Sequence, residues 1–404
     1  MMASHSDSIP TAVAVVGAVL AGAIVVKHVL ARLRIPAAVG YIALGALLSL
    51  LNERWVWRTP FLDAVFRFLG AIGVACLLFR VGLQCNLRAL LAQLGRAARA
   101  WIGDFTISGL LGFSVAYYWL GLPAMTAAVV GVALTATSVG VSVVAWQERR
   151  MLDSPDGELM LDIAELDDIS GVLAMSVLFA VLSAAEGGTD AIRWLPLLGS
   201  FAPKVSAFVA ACWLYAEFVE ARLSALLRRS QQPTDPLLLI LATSLLIAAL
   251  AEWLGLSMAI GAFFAGLMYS RDPQQVRIEA SFDAIYGLFT PYFFVAVGLG
   301  VVWPAMVPAL RMGVVLLIAG IVGKVLGNGL PVASMRGLRS GVVIGFSMIP
   351  RAEIAMVVVQ RAREADPTLV PDTVFGAMVL VSLVTCIAAP LIVSTFLDRW
   401  RPGA

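Results

Sequence analysis

An apolar run with acids at its centre occupies residues 159–182 and reads LMLDIAELDDISGVLAMSVLFAVL. The run is long enough to cross a bilayer as a helix, which takes about 20 residues. Glu165, Asp167 and Asp168 fall near its middle, where an ionisable group is rare, costly and usually functional. The run therefore predicts a membrane helix that carries an ion site.

Similar apolar runs recur along all 404 residues, and the chain is 60% hydrophobic and 13% charged. Since soluble domains are about a quarter charged, we predict an all-α polytopic membrane protein that forms a single domain over residues 1–404. The polar start and the short tail predict no cleavable signal peptide and no soluble regulatory domain. The net charge of +2 gives no indication of a nucleic-acid partner. We expect about 13 transmembrane helices, at about 10–31, 36–51, 64–84, 100–121, 124–147, 158–184, 195–227, 236–253, 256–270, 284–303, 308–332, 340–362 and 371–397.

The loops differ in their content of Lys and Arg. The loops after odd-numbered spans, together with the C-terminus, hold 17 of these residues, and the other side holds 7. Positive residues concentrate on the cytoplasmic side of a membrane. The asymmetry predicts an outside N-terminus and a cytoplasmic C-terminus.

Two pairs of segments resemble one another in the same order. LRIPAAVGYIALGAL, from Leu33, resembles LGLSMAIGAFFAGLM, from Leu254, and FRVGL at Phe79 resembles VAVGL at Val295. The matched spans lie seven apart, so the two copies face opposite sides of the membrane. This pattern is typical of the inverted-topology repeats of secondary transporters. We predict repeats of six helices at about 10–184 and 236–397, with a linker helix at about 195–227.

Lysine at bilayer depth is a further indication of a site. The chain has three lysines, and Lys324 lies inside the span GIVGKVLGNG. Unlike arginine, a desolvated lysine can lose its proton. Asp167 and Asp168 point about 100° apart on a helix, so one can meet a partner while the other faces a cavity. The alternative for the pair is a buried polar link between helices, which is how we interpret Asp104 and Asp162.

Two spans carry signals of an interrupted helix. ALTATSVGVSV brings together Thr135, Thr137 and Ser138, and hydroxyl groups can satisfy the backbone of an unwound segment. GFSMIPRAEIAMVVV places Pro350 mid-span, beside Arg351 and Glu353, and proline removes a backbone donor. The two spans occupy equivalent places in the predicted repeats. Interrupted helices in matching positions indicate the binding site of a transporter.

These segments resemble a known family. ALTATSVGVSV, DDISGVL, FRVGLQCNLRAL, GAFFAGLMYS, GKVLG and IPRAEIAMVV are together similar to elements of the monovalent cation:proton antiporter superfamily, in its bacterial sodium/proton branch with paired aspartates. The resemblance covers nearly the whole chain. It implies a homodimer of the bacterial inner membrane, a moving six-helix core, and two interrupted helices that cross at the ion site.

The resemblance also implies residue roles. The second acid of the pair binds the cation, which places sodium at Asp168, and the first acid forms a salt bridge, which pairs Asp167 with Lys324. Further members of the implied site are Thr135, Thr137, Ser138, Pro350, Arg351 and Glu353. No cofactor is implied, because the ions themselves are the cargo.

The chain departs from the family pattern at three positions. Gln84 stands where the third span usually ends in glutamate, and Arg80 and Glu165 stand where apolar residues are expected. One hypothesis is that Arg80 and Glu165 form a pair. The alternative is that Arg80 reaches the cytoplasmic surface and Glu165 faces a wet crevice.

The sequence therefore predicts an electrogenic sodium(lithium)/proton antiporter that works by elevator-type alternating access. Alternatives are a potassium/proton antiporter, a sodium-coupled symporter of an organic anion, and a membrane sensor or channel. The resemblance favours sodium or lithium, because an amide before the aspartate and a nucleotide-binding tail, which often accompany potassium transport, are absent.

Overall fold

The computed structural model describes residues 9–33, 35–84, 87–185, 194–215, 218, 235–254, 256–270 and 282–399. Within these residues the regular structure is helical and strands are absent. A π-helical turn at Val115–Trp119 follows α4, and a 3-10 turn at Trp303–Ala305 precedes α12. The helices are α1 (Ile9–Arg32), α2 (Ala37–Trp55), α3 (Pro60–Gln84), α4 (Leu87–Ser114), α5 (Ala124–Thr135), α6 (Val139–Glu148), α7 (Pro155–Ala185), α8 (Trp194–Leu214), α9 (Asp235–Trp253), α10 (Met258–Met268), α11 (Phe282–Leu299), α12 (Met306–Arg336), α13 (Leu338–Ser347), α14 (Glu353–Ala365) and α15 (Asp372–Arg399).

The described helices are those of a multi-pass membrane protein. Six segments are long and apolar enough to cross a bilayer: α1, α3, α5 with α6, α11, the 3-10 turn with α12, and α15. Shorter apolar helices lie at Leu238–Trp253, Met258–Met268 and Leu338–Ser347. The prediction of an all-helical membrane protein is confirmed, while the number of 13 spans stays a prediction.

Several helix bounds differ from the predicted spans. The fourth span was expected from residue 100, whereas α4 already begins at Leu87, because a Leu- and Ala-rich amphipathic segment continues the helix beyond the apolar run. The ninth span is shorter than predicted, since α10 covers only Met258–Met268. Of the predicted linker, α8 covers Trp194–Leu214, and most of the remainder lies outside the described residues.

Both predicted helix interruptions are present. α5 ends at Thr135, Ala136 is extended with ψ of 145°, and α6 begins at Val139. α13 ends at Ser347, and α14 begins at Glu353. Pro350 lies in the gap between α13 and α14, and a proline, which cannot donate a backbone hydrogen bond, favours a break in a helix.

Contacts divide the chain into two compact units. The first unit comprises Met1–Asp63, Leu90–Gly171 and Phe294–Ala404, and the second comprises Ala64–Ala89 and Val172–Phe293. Each unit is assembled from segments that are far apart in the sequence. All site residues except Arg80 belong to the first unit.

In the first unit, α2 packs closely on other helices at two glycines. A Cβ on Gly45 would lie 2.1 Å from the carbonyl oxygen of Val295, and a Cβ on Gly298 would lie 2.1 Å from that of Ile42. A Cβ on Gly40 would lie 2.3 Å from the side chain of Val26 in α1. Small residues allow such close approach of helices in membranes.

The second unit contains the corresponding contacts of α10. A Cβ on Gly266 would lie 2.0 Å from the carbonyl oxygen of Phe79, and a Cβ on Gly82 would lie 2.0 Å from that of Phe263. A Cβ on Gly261 would lie 2.6 Å from the Cα of Ala248 in α9. Adding 221 to Gly40, Ile42 and Gly45 gives Gly261, Phe263 and Gly266, so equivalent residues make equivalent contacts.

An apolar cluster in the first unit surrounds the ends of the interrupted helices. Buried residues of α4, α6, α7, α12, α13 and α15 form its core, and they include Ala100, Trp146, Ile163, Val332 and Ile344. These side chains come from different helices and pack against one another. The polar residues of the site are therefore carried on helices that apolar packing holds in place.

Candidate ion-binding site

The two helix interruptions contact each other directly. The backbone N–H of Ser138 donates a hydrogen bond of 2.9 Å to the carbonyl oxygen of Pro350. The Ser142 hydroxyl donates to the carbonyl oxygen of Ser347, and the Trp146 indole N–H donates to the Ser347 hydroxyl at 3.0 Å. Side chains of α6 thus satisfy polar groups at the end of α13, where the helix leaves carbonyls without intrahelical partners.

Lys324 is fully buried in α12, and three oxygen atoms surround its ammonium group. Nζ donates to Asp167 Oδ2 at 2.8 Å, to the carbonyl oxygen of Thr135 at 2.6 Å, and to Asp104 Oδ2. A lysine has three N–H donors, and each meets an acceptor. Lys324 therefore links α4, the end of α5, and α7.

Asp167 is buried and only half satisfied. Its Oδ2 accepts hydrogen bonds from Lys324 and from the Thr137 hydroxyl, the latter at 2.8 Å. Its Oδ1 is buried without a hydrogen-bond partner. One oxygen of this carboxylate is thus held on two sides, and the other has the capacity to accept a further ligand.

Asp168 follows directly and differs in its surroundings. The residue is partly exposed, and among the described residues its carboxylate has no hydrogen bond or ion pair. The carboxyl groups of Glu353, Asp167 and Glu165 and the ammonium group of Lys324 lie within electrostatic range of it. Asp168 shares this lack of a protein partner with Glu165, whereas Asp104, Asp167 and Glu353 each accept a hydrogen bond.

Ser138 connects the first interruption to the acid that begins α14. Its hydroxyl donates to Glu353 Oε2 at 2.6 Å. Thr137 and Ser138, which are adjacent in the chain, therefore serve two different carboxylates. Thr135 contributes only its backbone carbonyl to the cluster, since its hydroxyl donates to Val132 within its own helix.

Arg351 is buried in the second interruption, at 1% exposure. Its Nη1 donates to the carbonyl oxygen of Met348 at 3.0 Å, and its own carbonyl accepts from Ser382 at 2.6 Å. Its Nε and Nη2 atoms are buried without hydrogen-bond partners. The guanidinium thus occupies the gap that follows α13.

The ends of the interrupted helices meet charges of favourable sign. The carbonyl ends of helices carry partial negative charge and the N–H ends partial positive charge. Lys324 contacts the last residue of α5, Arg351 contacts the carbonyl of Met348 just beyond α13, and Glu353 is the first residue of α14. These charges stabilise helix ends that lie inside the protein.

Arg80 belongs to the second unit and has a partner other than Glu165. Its guanidinium lies 3.7 Å from Asp283 and 4.1 Å from the ring centroid of Tyr286. The hypothesis that pairs it with Glu165 is therefore replaced by an Arg80–Asp283 pair. Asp283 lies in the first turn of α11 and is distant in sequence, so no local pattern indicated it.

Two buried polar residues near Lys324 were not predicted from the sequence as members of the site. Asp104 was read as a polar link between helices, but its carboxylate contacts Lys324 and accepts a 3.0 Å hydrogen bond from Ser108. Asn328, one turn after Lys324, is fully buried, and both polar atoms of its side chain lack a hydrogen-bond partner. The signal for Asp104 was available, because an acid inside an apolar span is a functional candidate by default.

The cluster carries more carboxyl groups than cations. Among the described residues, Asp104, Glu165, Asp167, Asp168 and Glu353 lie within electrostatic range of one another or of two cations, Lys324 and Arg351. The described residues contain no group of three or more His, Cys, Asp or Glu side chains arranged to hold a metal ion. A monovalent cation bound here would draw on hydroxyl and carbonyl oxygens beside a carboxylate.

Comparison with known protein families identifies the chain. The family model described as "Sodium/hydrogen exchanger, transmembrane" matches residues 15–399. The chain belongs to the sodium/hydrogen exchanger family. The exchanger is therefore a multi-pass membrane protein with a transport function, and the resemblance seen in its sequence is confirmed.

The sequences of individual relatives align with the exchanger over nearly its full length. It is 27% identical over 383 residues to a Na(+)/H(+) antiporter of Enterococcus hirae, covering 92% of the exchanger and 94% of the relative. It is 25% identical over 368 residues to the Na(+)/H(+)-K(+) antiporter GerN of Bacillus cereus, covering 90% and 91%. The structure of the sodium proton antiporter MjNhaP1 from Methanocaldococcus jannaschii shares its fold, with a TM-score of 0.69, 15% identity and 97% coverage of each chain.

Proposed function

We propose that the exchanger is an electrogenic sodium/proton antiporter that also accepts lithium. One observation carries the proposal: Asp168 has no hydrogen bond or ion pair among the described residues, beside the contact of two interrupted helices. A carboxylate that is free of protein partners can exchange a proton for a cation. The names of the relatives, which are sodium/proton antiporters, agree with this activity.

Asp168 is the proposed sodium site. Interrupted helices free backbone carbonyls and hydroxyl groups near the bilayer midplane, and such groups coordinate sodium in transporters. Thr137 and Ser138 lie beside the site, and Thr135 contributes a carbonyl oxygen to the same cluster. The excess of carboxyl groups over cations favours a positively charged cargo.

Asp167 and Lys324 form the proposed coupling element. Their 2.8 Å contact is fully buried, so breaking it deprives Asp167 of its cation, while Lys324 keeps its contacts with Asp104 and the Thr135 carbonyl oxygen. Breaking a buried pair from one side costs about 3–5 kcal/mol. We propose that this contact opens when sodium enters and closes again when the site is protonated.

The proposed cycle moves net charge. A charge moved through 100 mV is worth about 2.3 kcal/mol, so the membrane potential contributes to the work of an electrogenic cycle. We further propose elevator-type alternating access, a homodimer, a bacterial inner-membrane location, an outside N-terminus and a cytoplasmic C-terminus. The matching glycine contacts of α2 and α10 support two inverted repeats, which underlie alternating access in related transporters.

Transport by purified protein in lipid vesicles tests the proposal. An imposed pH gradient is followed with a pH-sensitive dye, and sodium, lithium, potassium or choline chloride is added outside. We expect sodium and lithium to collapse the gradient and choline to leave it intact. Collapse without any added cation would indicate a channel or leak, and a requirement for an organic anion would indicate a symporter.

Potassium/proton exchange is the second candidate. The relative from Bacillus cereus is named a Na(+)/H(+)-K(+) antiporter and covers 90% of the exchanger. In the same assay, a potassium response at concentrations similar to the sodium response would favour this activity. Competition between the two cations would show whether they share the site at Asp168.

A further inference from the structure

We propose that Asp104 is a positioning residue for ion exchange, and that it acts as the fixed counter-ion of Lys324. In this view Asp104 keeps the ammonium group paired while Asp167 is released to the transported ion. The inference rests on the proposed function, because it concerns how Asp167 is released from Lys324 at the same site. Three features of the structure support it.

The first feature is the shared position of the two acids around Lys324. Asp104 and Asp167 both contact Nζ, and the side chains of all three residues are fully buried. If Asp104 were absent, release by Asp167 would leave the ammonium with only the carbonyl oxygen of Thr135. A buried charge without a counter-charge is strongly unfavourable, so Asp104 makes the release possible.

The second feature is an asymmetry between the two carboxylates. Asp104 has a partner at each oxygen, with Ser108 donating to Oδ1 at 3.0 Å and Lys324 contacting Oδ2. Asp167 concentrates its partners on Oδ2, and its Oδ1 has none. The fully satisfied acid is suited to a fixed role, and the half-satisfied acid is suited to exchange.

The third feature is the close approach of α4 and α12 at three glycines. A Cβ on Gly327 would lie 2.7 Å from the Cα of Asp104, and a Cβ on Gly103 would lie 2.5 Å from the carbonyl oxygen of Gly327. A Cβ on Gly323 would lie 3.0 Å from the Cα of Ser108. Small residues let the two backbones approach this closely, so Asp104 and Lys324 lie on helices that pack directly against each other.

The charged residues at the site then have two separate roles. Asp104 and Lys324 form a pair that is neutral by itself. Asp167 and Asp168 keep their charges for the transported ions. Without Asp104, Lys324 would stay on Asp167 and sodium would have to compete with the ammonium for that carboxylate.

A sodium-binding cycle tests the role of Asp104. The sodium concentration that gives half of the maximal rise in Tm is measured for purified wild type, Asp104→Asn, Lys324→Gln and the double variant. We expect Asp104→Asn to raise this concentration at least about fivefold in the wild-type background and to have no effect beside Lys324→Gln. An equal effect in both backgrounds, or none in the first, would overturn the proposal.

Three further measurements separate this role from alternatives. Ser108→Ala, which loosens Asp104 without removing its charge, should shift sodium binding in the same direction by a smaller factor, and no shift would count against the proposal. If Asp104→Asn fails to fold, Ser108→Ala takes its place in the measurement. Asp162→Asn, which removes another acid of a membrane helix, serves as the matched control. If the wild-type protein in vesicles shows no cation-coupled proton movement, the proposed function is refuted. The sodium-binding cycle tests the role of Asp104 separately, because it does not depend on transport.

Discussion

The backbone N–H of Ser138 donates a 2.9 Å hydrogen bond to the carbonyl oxygen of Pro350, across 212 positions of the chain. This bond joins the interruption between α5 and α6 to the interruption between α13 and α14. The groups that helix ends leave without intrahelical partners are thereby satisfied by the other interruption and by Lys324 and Arg351. The candidate ion site is therefore built from helix ends.

Replacing Asp168 by asparagine should abolish exchange and leave a folded protein. The amide keeps the size of the side chain but can neither ionise nor exchange a proton. Sodium should raise the Tm of the wild type, since a ligand at 100 times its Kd stabilises by about 2.7 kcal/mol, and it should leave the Tm of Asp168→Asn unchanged. Near wild-type, sodium-dependent proton movement by this variant would remove Asp168 from the site.

Removing the ammonium of Lys324 should destabilise the protein and depress transport. Lys324→Ala leaves Asp104 and Asp167 facing each other without a cation, and the loss of one side of a buried pair costs about 3–5 kcal/mol. Thermal unfolding in detergent measures this loss. A double-mutant cycle with Asp167→Asn should show strong coupling, and additive losses would mean that the two residues do not interact.

Two threonines in the same segment should respond differently to valine. Thr137 donates to Asp167, and a hydrogen bond to a charged group contributes about 1.5–3 kcal/mol. Thr135 donates only to Val132 of its own helix. We expect Thr137→Val to weaken sodium binding and thermal stability and Thr135→Val to change both much less. The reverse order would show that the Thr137 contact is unimportant.

Alanine at the matched glycines should be harmful in both helices. A Cβ at Gly45 or Gly266 would overlap a backbone carbonyl oxygen, at 2.1 Å and 2.0 Å. A Cβ at Gly17 or Gly287 meets no atom within 4 Å, and Gly→Ala in a helix contributes up to about 1 kcal/mol of stability. Gly45→Ala and Gly266→Ala should therefore lower the Tm by similar amounts, while the two controls leave it unchanged or higher. Tolerance at only one of the matched positions would argue against equivalent repeats.

The partner of Arg80 can be identified by coupling measurements. Arg80 lies 3.7 Å from Asp283, and both side chains are partly exposed, so their pair contributes about 0–1 kcal/mol. We expect Arg80→Leu to couple with Asp283→Asn and to be additive with Glu165→Gln. The activity profile with pH should be the same for Arg80→Leu and wild type. A shifted profile that Glu165→Gln restores would instead support a pair between Arg80 and Glu165.

The sequence by itself determined the helical membrane fold and the two interruptions, and it indicated the acids of α7 as candidates for the site. Each of these depends on local properties of the chain. An apolar run of sufficient length forms a helix in a bilayer, and Pro350 removes a backbone donor in the middle of such a run, which favours a break there. The acids of α7 are recognisable because charge in an apolar run is costly.

Only the tertiary structure decided which groups meet. Lys324 contacts Asp104 across 220 positions, and no periodicity or spacing relates the two residues. The adjacent Thr137 and Ser138 donate to different acids, because the backbone is extended at Ala136 and Ser138 and successive side chains of an extended chain point to opposite sides. Arg80 meets Asp283 for the same reason that Lys324 meets Asp104. The partner of a charged side chain is set by the packing of helices that are distant in the sequence.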